Sequence, residues 1–136
     1  MTWLKTILIT IMVLLYLICL DVSTIHKGNY HKPLLHAIAT VESNFNTKAV
    51  SKKGAIGINQ IRYSVWSKEL KKNKIISNRK DLFNPQINMR ASHYILVKYG
   101  LYKLPLKDVL YRYSGRDKNY AMKVMKEMEW KRKVSS

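Results

Sequence analysis

Glu42 is the only acidic side chain between Val22 and Lys68, in a chain where Lys and Arg number 25 against 8 Asp and Glu. It sits at the end of an apolar stretch, directly before Ser43, and a polar loop follows, NFNTKAVSKKGAIGINQ, carrying Gly54, Gly57 and Gln60. The negative end of a helix dipole disfavours a charged carboxylate. Partial burial against Leu35, Ile38 or Phe45 would disfavour it further. Both effects keep a proton on the group near neutral pH, as a general acid requires. Neighbouring lysines push the other way, and an ordinary surface glutamate is the plain alternative. In the loop, Gly54 and Gly57 allow positive φ or a close approach of backbone to a ligand. Gln60 offers both a donor and an acceptor, suited to a sugar amide or hydroxyl. The Gly-x-x-Gly spacing matches neither the dinucleotide nor the phosphate-loop fingerprint.

The elements that position these residues read as helices. Pro33 suits a first turn, and Leu34, Leu35, Ile38 and Val41 recur at helical spacing, so a helix is expected over His31–Ser43 with Glu42 at its end. Phe45–Gln60 reads as a long loop, Ile61–Lys72 as a helix with Val65, Trp66 and Leu70 on its apolar side, and Lys71–Asp81 as a basic connector. Asn84-Pro85 marks a helix start and Gly100 its end. Pro105 opens a shorter helix that stops at Gly115. Asp117 or Lys118 to Lys133 forms the last, with Tyr120, Val124 and Met128 at i, i+4 spacing. No alternating run of useful strand length occurs.

With these elements in place the stretch AIATVESNFNTKAVSKKGAIGINQI resembles the lytic transglycosylase domain of the soluble lytic transglycosylase family, within the lysozyme superfamily. Glu42-Ser43 is similar to that family's Glu-Ser motif, and Gly54 to Gln60 to its Gly-x-x-Gly-x-x-Gln motif. LFNPQINMRASHYILVKYG resembles the Asn-containing helix that follows, with Ser92 where the family usually has Gly. YRYSGRDKNYAMKV resembles the third motif, with Ser114 in place of its asparagine. The resemblance implies a mainly α, lysozyme-like single domain and cleavage of the β-1,4 bond between N-acetylmuramic acid and N-acetylglucosamine in peptidoglycan, without cofactor. It implies Glu42 as the single acid and base and Ser43 as an orienting hydroxyl. It also implies Gln60 in the cleft, and Tyr113 hydrogen-bonded to Glu42. Ser114 keeps a hydroxyl of shorter reach than asparagine.

Composition frames that reading. At 136 residues, 47% hydrophobic, the chain can bury one small core. A net charge of +17 draws it to polyanions: an acidic wall polymer, anionic lipid or nucleic acid. No recognised nucleic-acid motif is present, so no specific nucleic acid is expected. Of the four histidines, His31 and His36 lie five apart, off one helical face, and no His-Glu-x-x-His occurs, so no metal site is expected. The single cysteine, Cys19, excludes an intramolecular disulfide. It sits late in an apolar run, but bulky Leu17 and Ile18 precede it where a lipid-modified cysteine follows a small residue. The segment from Thr6 to Leu20 is uncharged and 15 residues long. That is long for a signal core and short for a span, which needs about 20.

The expected organisation is therefore a signal anchor or signal peptide over 1–22, with a hydrophobic helix, a linker over 23–30, and a lytic transglycosylase domain over 31–133. The domain would lie in the cell envelope, anchored in the inner membrane facing the periplasm, or secreted. Its partners would be peptidoglycan glycan strands and, through the N-terminal segment, the membrane. Secretion, conjugation and phage machinery all use such small domains. The competing readings are hydrolysis as in goose-type lysozyme, and a non-catalytic basic protein that binds wall or nucleic acid.

Overall fold

The computed structural model describes Trp3, Ile7, residues 9–12 and residues 32–134. The chain divides into two units, Met1–Lys32 and Pro33–Ser136. In the first, the described residues are helical. Among the described residues no helix is long and apolar enough to cross a membrane. The rest of the expected anchor over 1–22, Cys19 and the linker over 23–30 lie outside the described residues.

The second unit is mainly helical. Helix α1 covers residues 32–43. A short antiparallel pair follows, β1 (Ala55–Ile56) and β2 (Ile61–Arg62), with Ala55 opposite Arg62 and Ile56 opposite Ile61. Then come α2 (Tyr63–Lys72), a 3-10 turn (Arg79–Phe83), α3 (Pro85–Lys98), α4 (Leu106–Tyr113) and α5 (Tyr120–Val134). The loop expected over Phe45–Gln60 thus contains one strand, extended by a bridge between Val50 and Ile56. The helix expected from Ile61 starts at Tyr63, because Ile61 and Arg62 complete the ribbon. Val65, expected on its apolar side, is exposed: Leu70 and Trp66 face inward with Tyr63, and Val65 falls off that stripe.

Local chemistry sets the clearest boundaries. Asn84 caps α3 by accepting from the backbone N–H groups of Gln86 and Ile87, and Pro85 takes the first turn, where its missing N–H costs nothing. Gly100, at φ 100°, ends it. A capping box of Asn78 and Asp81 opens the 3-10 turn. Helix α5 starts later than expected, because Ser114 Oγ and Asp117 Oδ1 take the N–H groups of Asp117 and Asn119 into turns.

Two apolar clusters share α3. Leu34, Leu35, Ala37 and Ile38 of α1 pack with Leu96, Val109, Leu110, Tyr120, Ala121 and Val124. Ile56, Ile61, Leu70, Ile76 and Leu82 pack with Ala91 and Ile95. Tyr113 packs against both, at the seam.

The glycine loop is bound to α3 by a buried polar clamp. The Asn88 side chain donates to Ile56 O (2.9 Å) and Leu82 O (2.7 Å), and its Oδ1 accepts from Asn59 N (3.0 Å). Gly57, at φ 74°, lies so close that a Cβ there would overlap Asn88 Nδ2 and Leu82 O, whereas Gly54, at φ 75°, faces open space. Gly54→Ala should therefore cost only the left-handed backbone penalty, about 1–2 kcal/mol. Gly57→Ala adds overpacking and should cost about 2–5 kcal/mol. Urea unfolding of the two variants checks this, and equal losses would show that Asn88 does not fill the space at Gly57.

Candidate active site

Glu42 lies in the last turn of α1, half-buried. The chain reverses just beyond it through two residues of positive φ, Asn44 (50°) and Phe45 (62°), whose N–H groups return to Thr40 O and Ala39 O. A left-handed Asn is common, but a left-handed Phe stores strain. Its ring is held by an edge contact with His36 (5.4 Å) and by Lys131 Nζ over its face (5.2 Å).

Ser43 donates its hydroxyl to Ile58 O (2.8 Å), which fastens the end of the Glu42 helix to the glycine loop. Gln60, itself at φ 50°, donates from Nε2 to Gly57 O (2.9 Å) and Ala49 O (3.4 Å). Its amide donor thus braces its own loop. Ser114 donates to Tyr111 O (2.9 Å) and accepts from Asp117 N (3.0 Å), so its hydroxyl forms the turn after α4. Of the two glycines expected to open the loop to a ligand, only Gly54 has open space beside it.

The phenol on Glu42 is not the expected one. Tyr120, on the first turn of α5, donates to Glu42 Oε1 at 2.7 Å. Tyr113, expected in that role, instead donates to Asn59 O (2.9 Å). With that proton committed, Ser92 Oγ donates to the Tyr113 oxygen (2.9 Å). Tyr113 then stacks on Tyr120, ring centres 6.3 Å apart and 24° from parallel. The two residues are seven apart, and both close on one site because α4 and α5 fold back on each other around their shared core. Sequence reasoning placed Tyr120 correctly in the apolar repeat of the last helix but not on the acid, and it missed Asn88 and Ser92 as the groups that hold the loop and Tyr113. The signal for Ser92 was present: a hydroxyl where the resembled family usually has none. Asn59, also fully buried, keeps both side-chain amide atoms without a hydrogen-bond partner among the described residues, a cost in desolvation.

These contacts set the charge state of the acid. Burial pushes the Glu42 carboxyl above its ordinary value, and the Tyr120 hydrogen bond, which favours the charged form, offsets part of that rise. Burial raises both tyrosines as well, so they remain protonated donors. Asp81, in the 3-10 turn, accepts from the backbone of Ser77 and Asn78. Among the described residues no three His, Cys, Asp or Glu side chains converge as a metal would need.

A family model described as the Transglycosylase SLT domain matches residues 23–110. The chain belongs to that family. No match was found among curated proteins or among solved structures. The SLT match takes in Glu42, the glycine loop and Asn88, and stops at Leu110. Tyr113 and Tyr120 come from beyond it. The mainly helical architecture is consistent with the lysozyme-like fold expected of an SLT domain.

Two consequences of the Glu42 environment are measurable. Tyr120→Phe removes the bond that favours the carboxylate, so carboxyl carbon NMR should show Glu42 titrating at higher pH than in the wild type. Tyr113→Phe should move it less. The raised value also sets a sign for stability. The folded state binds the Glu42 proton more tightly than the unfolded chain, so stability falls as pH rises from the ordinary value of 4.5 through the raised folded value. Glu42→Gln should therefore unfold at a higher temperature than wild type at neutral pH, and the gain should vanish below about pH 4. A neutral-pH loss of stability would contradict a desolvated carboxyl.

Proposed function

We propose that this SLT domain is a peptidoglycan lytic transglycosylase in which Glu42 alone serves as acid and base. The observation that carries the reading is the half-buried Glu42 carboxyl, raised in pKa by desolvation and held by the Tyr120 phenol. Glycosidases of the common kind use two carboxylates, whereas substrate-assisted ones use the substrate's own acetamide in place of the second. Among the described residues no second carboxylate contributes to the Glu42 shift.

In this mechanism Glu42 gives its proton to the glycosidic oxygen as the bond to the muramic anomeric carbon breaks. The acetamide oxygen of the same sugar bonds to that carbon and takes up its positive charge. Glu42, now a carboxylate, removes the proton from the C6 hydroxyl, and O6 displaces the acetamide oxygen to close a 1,6-anhydro ring. No water is consumed. Tyr120 supports the carboxylate half of the cycle, since its hydrogen bond stabilises the charged form, while burial supports the acid half. Ser43 fastens the glycine loop to the end of the Glu42 helix, and Gln60 and Asn88 brace that loop.

Glu42→Gln keeps the size and hydrogen bonding of the side chain but cannot exchange a proton as an acid does. It should abolish cleavage of isolated sacculi while leaving binding to them intact. Mass spectrometry of wild-type products should show anhydromuramic ends, about 18 Da lighter than hydrolysed ends because no water is added. Reducing muramic ends would assign the protein as a goose-type-like muramidase, and full activity of the variant would remove Glu42 from the reaction.

This activity requires the domain to lie in the cell envelope, with residues 1–22 as anchor or signal. A reporter enzyme that works only in the periplasm, fused after Ser136, should be active. Activity confined to a cytoplasmic reporter would defeat that placement.

A further inference from the structure

Helix α5 has more apolar surface than its packing uses. Tyr120, Ala121 and Val124 are buried, and Met128 is packed against the core. On the solvent side, Met122, Met125, Trp130 and Val134 are exposed by 65%, 43%, 57% and 67%. Met122, Lys126, Trp130 and Val134 follow one another at i, i+4 spacing, so they form a single stripe along the helix. Lys123, also exposed, lies beside it, three residues from Lys126. The acids on the helix are Glu127, which faces Lys131 at 3.9 Å, and exposed Glu129.

We infer that this face of α5 docks on an anionic phospholipid surface. A helix lying in a membrane interface carries Trp and aliphatic side chains into the acyl boundary and holds its cations at the headgroups. Tryptophan is favoured at that depth because its ring is apolar while its N–H still needs a partner. Hydrated polyanions such as wall polymers or nucleic acid would use the lysines but gain nothing from exposed Met and Val. A second copy of the chain would bring cations against cations, at a net charge of +17 each. A negatively charged bilayer satisfies both halves of the stripe. The docking stands apart from the cleavage reaction, and it does not use Glu42.

The test uses the full chain and vesicles whose acyl chains carry bromine, which quenches tryptophan on contact. Because Trp3 and Trp66 are also present, the readout is the difference between wild type and Trp130→Phe. On brominated phosphatidylglycerol vesicles this Trp130-dependent quenching should be strong, and on brominated phosphatidylcholine weak. It should fall with salt. Replacing Lys123 and Lys126 by Gln should weaken the apparent affinity of the contact by about fivefold per cation. Met122→Ser with Met125→Ser should weaken it too, while all variants keep wild-type activity on soluble glycan fragments. Three results would overturn the proposal. One is equal Trp130 quenching on the two lipids. Another is no Trp130 quenching on anionic vesicles that do bind the chain. The third is Trp130 shielding by lipid-free wall polymer, nucleic acid or self-association in place of lipid.

Discussion

A single buried amide holds the glycine loop beside the end of the Glu42 helix. Asn88 is fully buried, so each of its polar atoms must find a partner or cost the fold its desolvation. It finds them in Ile56 O, Leu82 O and Asn59 N, three backbone groups from the ribbon, the 3-10 turn and the glycine loop. From there the contacts run outward in order. Asn59 O accepts Tyr113, Tyr113 stacks on Tyr120, and Tyr120 donates to Glu42. Ser43 joins the end of α1 to the same loop through Ile58 O. The acid is thus braced from both sides by one stretch of backbone, and that stretch is fixed on α3.

The environment of Glu42 is a balance of two opposed effects. Apolar burial favours the protonated form, and the Tyr120 phenol favours the charged one. The cycle proposed for Glu42, acid and then base, would need both, because too much of either would trap it in one state. The exposed carboxylates show the contrast. Glu69 is drawn below its ordinary value by Lys98 at 2.6 Å and by Tyr94, and Asp81 by backbone N–H groups. Those groups serve as struts between α2 and α3 and inside the 3-10 turn, and they remain charged.

How much of this could be read from the sequence follows from the range of each interaction. The ends of α3 were legible because Asn84, Pro85 and Gly100 act on their own neighbours. The short ribbon was not, since two-residue strands carry no alternation to detect. Glu42, the glycine loop and Gln60 stood out by type and spacing. The local bonds of Gln60 and Ser114 did not, because a side chain that bonds its own loop looks in sequence like one that does not. The choice between Tyr113 and Tyr120 was hidden for a different reason. Both are tyrosines near one turn, and only the packing of α5 on α4 decides which hydroxyl reaches the carboxyl.

The partner of Glu42 lies 78 residues along the chain from it. A growing chain therefore makes its acid, its glycine loop and Asn88 well before it makes Tyr120. Until α5 has been synthesised and has docked, Glu42 lacks the phenol that stabilises its charged form. Completion of the domain and completion of the acid are one event, so a truncated or half-folded chain presents the carboxyl without its tuning.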